Sequence, residues 1–96
     1  MSYWTTVAVP CAPPSLVGRL LVPTPHAEST LRDVRSWMRR NAKTWTDALL
    51  PGEPGFTGFV VDQDGEPALT VEYGLDADAE PVEHTRAELA AMRGAS

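Results

Sequence analysis

Residues 29–49, STLRDVRSWMRRNAKTWTDAL, are the longest stretch of the chain that keeps a helical period. At about 100° per residue, six apolar side chains of this stretch fall within roughly 80° of one another on a helical wheel. Such a stripe is typical of a helix that packs one face on a hydrophobic core. The six residues are Leu31, Val34, Met38, Ala42, Trp45 and Leu49.

A second stripe on the same helix is cationic. Like charges three and four residues apart destabilise a helix by roughly 0.2–0.5 kcal/mol per pair, so we expect acidic groups close to it. Residues 57–96 carry nine acidic and two basic groups, and Glu72, Asp76 or Asp78 are the expected partners. The basic side chains are Arg32, Arg35, Arg39 and Lys43, with Arg40 further round the helix.

Two strands are predicted before the helix. Residues 3–9, YWTTVAV, are rich in β-branched and aromatic side chains, and residues 16–22, LVGRLLV, are almost continuously apolar. We expect the helix to begin near Ala27. Thr30 and Asp33 have the spacing of a capping box with Asp in place of Glu, which allows a start one turn later.

A β-hairpin is predicted after the helix, at residues 55–74, GFTGFVVDQDGEPALTVEYG. Its Asp-Gly pair is a strong hairpin-turn signal, and its second half alternates apolar with polar residues. We expect Phe59 and Val61 to face the same side as the apolar residues of that second half. Residues 83–92 then read as a short helix. The alternating apolar residues are Leu69, Val71 and Tyr73.

These elements predict one small α+β domain that spans residues 1–96 in the order ββαββα. The simplest closed arrangement is a four-stranded antiparallel sheet with both helices packed on one face. The other sheet face would then stay open. Apolar residues on both sides of the second strand indicate that a partner subunit or a long loop covers part of this open sheet face.

The acidic hairpin turn has the first positions of a calcium-binding EF-hand loop but not the rest. Asp62, Asp64 and Glu66 stand at positions one, three and five. Pro67 then occupies the position that needs glycine, and Tyr73 occupies the position of the bidentate glutamate. We therefore interpret this segment as a solvated turn.

No other metal, cofactor or catalytic site is predicted. A metal site would require His26 and His84, the only histidines, to converge with carboxylates from elsewhere in the chain. The single cysteine, Cys11, lies in a proline-rich connection with no nucleophile motif around it. One cysteine and the absence of an apolar run of about 18 residues favour a cytoplasmic protein with no membrane contact.

The composition therefore favours a non-enzymatic module that binds another protein or a second copy of itself. Its expected contact surface is the face of the central helix or the open sheet face. The alternative is a nucleic-acid-binding regulator that uses the basic stripe. Seven arginines against one lysine indicate a GC-rich genome, and accessory proteins of bacteria or phages have this size. The partner-binding residues predicted on the helix are Arg32, Arg35, Trp37, Arg39, Arg40 and Lys43.

Overall fold

The computed structural model describes residues 2–10, 17–22, 24–76 and 78–94. Within these residues six strands and two helices follow one another in the order βββαβββα. Cys11 and Leu16, the predicted start of the second strand, lie outside the described residues. The elements are β1 (Tyr3–Pro10), β2 (Val17–Leu20), β3 (His26–Glu28), α1 (Leu31–Asp47), β4 (Phe56–Val61), β5 (Pro67–Tyr73), β6 (Val82–Thr85) and α2 (Arg86–Gly94).

All the strands belong to one antiparallel sheet with five positions across its width. The positions follow the order β2, β1, β4, β5 and β6, and β3 shares the edge position with β2. The edge is shared because β2 pairs with the end of β1, at Ala8 and Leu20, whereas β3 pairs with its beginning, at Trp4 and Ala27. The predicted α+β class is confirmed, and the prediction of four strands in a ββαββα order is wrong.

The two strands missing from the sequence prediction are short edge strands. β3 has three residues, HAE, and was predicted as the helix start near Ala27. β6 has four residues, VEHT, and was predicted as the beginning of the last helix. Both are held by backbone pairing to a neighbouring strand, which local propensity does not report. Helix α1 begins instead at Leu31, where the backbone N–H of Asp33 donates to the Oγ1 of Thr30 at 3.1 Å.

The predicted hairpin is confirmed, but the side of the sheet predicted for two residues of its first strand is wrong. β4 and β5 pair Phe56 with Tyr73 and Val60 with Leu69, and the register shifts between Val60 and Val61. Since side chains alternate along a strand, Phe56 and Val60 share a face with Leu69 and Tyr73. Phe59 therefore points to the opposite face, which corrects the sequence prediction for Phe59 and also for Val61.

One face of the sheet packs against α1 and forms the core. The apolar helix stripe is confirmed, because Val34, Met38, Ala42 and Trp45 are all buried. Met38 lies directly over Gly58 on the central strand, where an added Cβ would stand 2.7 Å from the Met38 Cε. The helix can approach the sheet this closely because Gly58 has no side chain.

Helix α2 continues directly from β6 and contacts β5 and β6, whereas α1 lies over β1, β3 and β4. The two helices therefore cover different parts of the sheet. The side of the sheet opposite α1 has no helix along its centre among the described residues.

Candidate functional site

Two arginines of the helix stripe form ion pairs within the chain. The Nε of Arg35 donates to Glu83 Oε1 at 2.6 Å, and an Nη of Arg39 donates to Glu80 Oε2 at 3.3 Å. The expected attraction between the basic and acidic halves is present, but its acidic partners are not Glu72, Asp76 or Asp78. Glu83 lies on β6 and Glu80 lies in the segment just before it, so the strand that was not predicted places one of the two carboxylates beside α1.

The other cations of the stripe are exposed. Lys43 lies 3.5 Å from Asp47, one turn further along α1. Arg32 and Arg40 have no ion-pair partner among the described residues. Exposed ion pairs contribute only about 0–1 kcal/mol, so they do not exclude exchange of the internal partner for an external one.

Trp37 is half-buried, and another residue of the chain covers its ring. Its indole stacks on the His26 imidazole with ring centroids 3.9 Å apart and an angle of 5° between the planes. The His26 Nε2 is in turn 2.8 Å from Glu28 Oε1. The sequence left open whether Trp37 was exposed or lay under a loop or the first strand. Instead β3, the strand that was not predicted, brings His26 over it.

Trp37 also begins a series of ring contacts that runs into the core. Trp37 meets Trp45 edge to face at 5.1 Å, and Trp45 meets Phe56 in the same way at 5.5 Å. Phe56 stacks on Tyr73 at 4.9 Å. Aromatic pairs of this kind contribute about 0.5–1.5 kcal/mol beyond their burial, so Trp37 has a structural role.

The sheet face opposite α1, which we call the open face, exposes large apolar side chains. Trp4 and Phe59 expose 44% and 41% of their surfaces, and Leu20 and Val82 expose 48% and 56%. On β1 and β4 the neighbours of these residues, such as Thr5 beside Trp4 and Val60 beside Phe59, point the other way and are buried. Antiparallel sheets that face water usually alternate apolar and polar residues. On this sheet the open face exposes large apolar side chains beside polar ones such as Thr6, Thr70 and Glu72.

The register shows how the open-face residues are arranged. One row across the strands runs Leu20, Ala8, Thr57, Glu72 and Val82. Leu20 and Val82 are therefore the two exposed ends of a single row, whereas Ala8 and Thr57 between them are buried, with 3% and 5% of their surfaces exposed. The adjacent row is Thr6, Phe59, Thr70 and His84.

Charge is sparse on the open face. Glu72 is the one acidic side chain on a strand that points to it among the described residues, and its Oε2 lies 3.3 Å from the His84 Nε2. The other ring nitrogen of His84 lies 3.5 Å from Glu88 Oε2. This face therefore differs from the rest of a chain whose net charge is −5.

The sequence prediction identified an open face as a candidate but named none of these residues. A detectable signal was the alternation at the start of β1, where Trp4 is exposed and Thr5 and Val7 are buried. Leu20 and Val82 could not be assigned to a common row, because that depends on the pairing of three intervening strands.

Two concave regions lie away from the open face. A cavity of about 340 Å³ lies between the start of α1 and the start of α2, with Leu31, Leu69, Arg35 and Arg86 among its lining residues. A more open groove of about 510 Å³ follows the end of α1 and includes Leu75. Both arginines of the first cavity already bind a carboxylate of the chain.

The first carboxylate of the acidic hairpin turn, that of Asp62, accepts hydrogen bonds from groups of the same chain. Oδ1 of Asp62 accepts the backbone N–H groups of Asp64 and Glu66, and its Oδ2 accepts from Arg86 at 2.6 Å. Desolvation raises the pKa of Asp62, but these hydrogen bonds and the nearby guanidinium outweigh it and hold the pKa below its ordinary value. Throughout the described residues, no three potential metal ligands of the His, Cys, Asp and Glu types cluster together.

Tyr73 is the other group with a shifted pKa. Its burial in the core raises the pKa of the phenol, and the nearby carboxylates of Glu83 and Glu80 add to this, whereas Arg39 opposes it. The shift follows from core packing and ion pairs that are already described.

Neither helix within the described residues is both long and apolar enough to cross a membrane. Comparisons of the chain with protein-family models, curated proteins and solved structures each gave no match.

Proposed function

We propose that the protein is a non-enzymatic interaction module that binds another protein chain through its open face. The observation that carries this proposal is the placement of Trp4, Phe59, Leu20 and Val82, four exposed apolar side chains, on one nearly uncharged face. Full burial of side chains of this size contributes about 1.5–3 kcal/mol each, and exposed apolar clusters are typical of protein contact surfaces.

The open face is better supported than the helix face as the main contact surface. Arg35 and Arg39 already bind carboxylates, and the Trp37 ring is covered by His26. Aromatic side chains at the centre of an interface are the usual hot spots, and Phe59 lies on the central strand of the sheet. Arg32 and Arg40 would then contact the partner only at the edge of the interface.

The cellular setting is part of the same proposal. The single cysteine supports a reducing, cytoplasmic location, and the arginine-rich composition supports an accessory protein of a bacterium or phage. Neither inference affects the test of the open face.

The test compares three forms of the tagged protein in a pull-down from nuclease-treated lysate of the source cell. The forms are the wild type, Phe59→Arg on the open face and Leu75→Arg as the matched control. Leu75 is also apolar and 66% exposed, but it lies in the loop after β5. We expect a stoichiometric protein that the wild type and the control retain and that the Phe59 variant loses. Retention of every partner by the Phe59 variant would refute the proposal.

A nucleic-acid-binding regulator is the second candidate, because Arg32 and Arg40 are exposed without an ion pair among the described residues. Phosphate contacts of this kind make affinity fall steeply with salt. The double variant Arg32→Glu and Arg40→Glu should then abolish retention of nucleic acid without nuclease. Equal retention by the variant and the wild type would remove this candidate.

A further inference from the structure

We propose that the cavity between the start of α1 and the start of α2 binds a small organic carboxylate, an anion with a compact apolar body. The cavity has a volume of about 340 Å³, and Arg35 and Arg86 are among its lining residues. It lies away from the open face, so this inference goes beyond the proposed protein contact. Three properties support it: two arginines from different helices, the position of their carboxylate partners and the apolar lining.

The two arginines reach the same cavity because both helices begin at its rim. Arg35 stands four residues after Leu31, so the two lie on the same side of α1. Arg86 is the first residue of α2, which follows β6 without a loop. The pairing of Leu69 with Thr85 then places the start of α2 beside β5. Residues far apart in the chain thus supply two cations to one cavity.

The carboxylates that hold these arginines are not part of the cavity lining. Glu83 accepts from the Nε of Arg35 at 2.6 Å, and Asp62 accepts from an Nη of Arg86 at 2.6 Å. Among the described residues, neither these two carboxylates nor that of Glu88 lines the cavity.

This arrangement leaves the arginines able to bind an external anion. A guanidinium has five N–H donors, and each of the two contacts uses one nitrogen, so donors remain for a second acceptor. The internal ion pairs also hold the side chains of Arg35 and Arg86 in place, which lowers the entropy that a ligand must remove on binding. A cavity lined by cations, with no acidic group in the described lining, favours an anionic ligand, and arginine binds carboxylates with charge-assisted hydrogen bonds.

The rest of the lining favours an organic anion over an inorganic one. Ala68 and Leu69 are buried residues of β5 at the base of the cavity, and Leu31 and Ala87 add apolar walls. The volume is at the lower end of the range of about 300–1,000 Å³ that is typical of ligand pockets. Since one water occupies about 30 Å³, an inorganic ion would leave most of this space to water beside apolar side chains. A ring or a short branched chain beside the carboxylate would fill it.

The first experiment titrates benzoate into the isotope-labelled full chain and follows the backbone amides by NMR. Benzamide, which has the ring without the charge, and inorganic phosphate, which has the charge without the ring, are the matched ligands. We expect saturable shifts around Leu31 and Ala87, with a dissociation constant of about 1 mM for a ligand of this size. Benzamide and phosphate should each bind at least about tenfold more weakly, because each lacks one of the two features.

Paired variants test whether benzoate occupies this cavity. Arg35→Gln should raise the dissociation constant about tenfold, because it removes one of the two cations. Arg32→Gln is its control, since Arg32 is an exposed residue of the same helix that does not line the cavity, and binding should be unchanged.

A second pair of variants keeps both arginines. Ala87→Leu should abolish binding by filling the cavity, whereas Ala90→Leu, at an exposed position of α2 outside the lining, should bind as the wild type does. Dispersed amide spectra establish that each variant is folded.

The outcomes decide the inference and keep it separate from the proposed function. Absence of saturable shifts up to about 20 mM benzoate overturns it, as does benzoate binding that neither Arg35→Gln nor Ala87→Leu weakens. Equal binding of benzamide would mean that the cavity does not recognise charge, and equal binding of phosphate would mean an adventitious anion site only; either result also overturns it. Phe59→Arg should bind benzoate as the wild type does, so benzoate binding and partner capture report on the two proposals independently.

Discussion

Substitution of Gly55 by alanine should destabilise the fold far more than the size of a methyl group suggests. Gly55 is buried just before β4, with φ at +148°, a region that residues with a Cβ rarely adopt. A Cβ at this position would overlap the carbonyl oxygen of Tyr73 and stand 3.0 Å from the Gly74 Cα. The atoms it meets are backbone atoms, so no side-chain rotation relieves the overlap.

The expected loss in the free energy of unfolding is about 3–5 kcal/mol. The backbone conformation itself costs alanine about 1–3 kcal/mol. Removing the overlap requires the start of β4 to move away from the end of β5, where Phe56 pairs with Tyr73 and stacks on it. Separation of this pair costs at least one backbone hydrogen bond of about 1 kcal/mol and part of the burial of both rings.

The matched control is Gly52→Ala in the same loop. Gly52 also has a positive φ, +90°, but an added Cβ would meet nothing within 4 Å. The Gly52→Ala variant should therefore lose only the free energy of unfolding that the backbone conformation costs alanine, about 1–2 kcal/mol. Urea unfolding followed by tryptophan fluorescence measures both variants, because Trp45 contacts Phe56 at a ring distance of 5.5 Å.

The comparison of the two glycine variants can refute the reasoning. Equal losses for Gly55→Ala and Gly52→Ala would mean that the Tyr73 carbonyl does not limit the site. A loss below about 1 kcal/mol at Gly55 would mean that β4 and β5 do not approach at this end as described.

Three further variants test other parts of the structure. Trp37→Ala should lower the free energy of unfolding in urea by about 2–3 kcal/mol, because it removes the stack on His26. Partner capture should be unchanged. If a folded Trp37→Ala variant loses capture, Trp37 belongs to the contact surface. Thr5→Val should stabilise by about 1 kcal/mol in thermal and urea unfolding, since the buried Thr5 hydroxyl has no hydrogen-bond partner among the described residues; a destabilised variant would reveal a partner. Asp62→Asn should be less stable than wild type at pH 7, and the difference should shrink as the pH falls below about 3.8. The lowered pKa of Asp62 means that the unfolded chain binds more protons in that range, so the stabilisation is present above it and lost below it; a difference independent of pH would contradict this.

The elements with strong local patterns could be predicted from the sequence. The apolar stripe of α1, including Val34 and Met38, follows from a period that each turn of the helix repeats. The β4–β5 hairpin follows from its alternation and its Asp-Gly turn. In both cases the deciding residues lie within a few positions of one another.

The residues of the candidate site were less accessible to prediction. The helix residues chosen from the sequence, among them Arg35 and Trp37, have partners within the chain because β3 and β6 lie beside α1. Phe59 was assigned to the wrong face because the irregular register near Val61 leaves no trace in the sequence pattern. A shift of one residue moves every side chain of a strand to the other face.

The sequence by itself determined that this chain folds as an α+β domain around one amphipathic helix and a hairpin, because these depend on local periodicity and turn chemistry. Only the tertiary structure decided that Leu20 and Val82 end one row, that Phe59 lies on the open face, and that Arg35 and Arg39 of α1 pair with carboxylates. These relations join residues far apart in the chain. They arise from strand pairing, in which backbone hydrogen bonds with little side-chain specificity determine which strands lie next to each other.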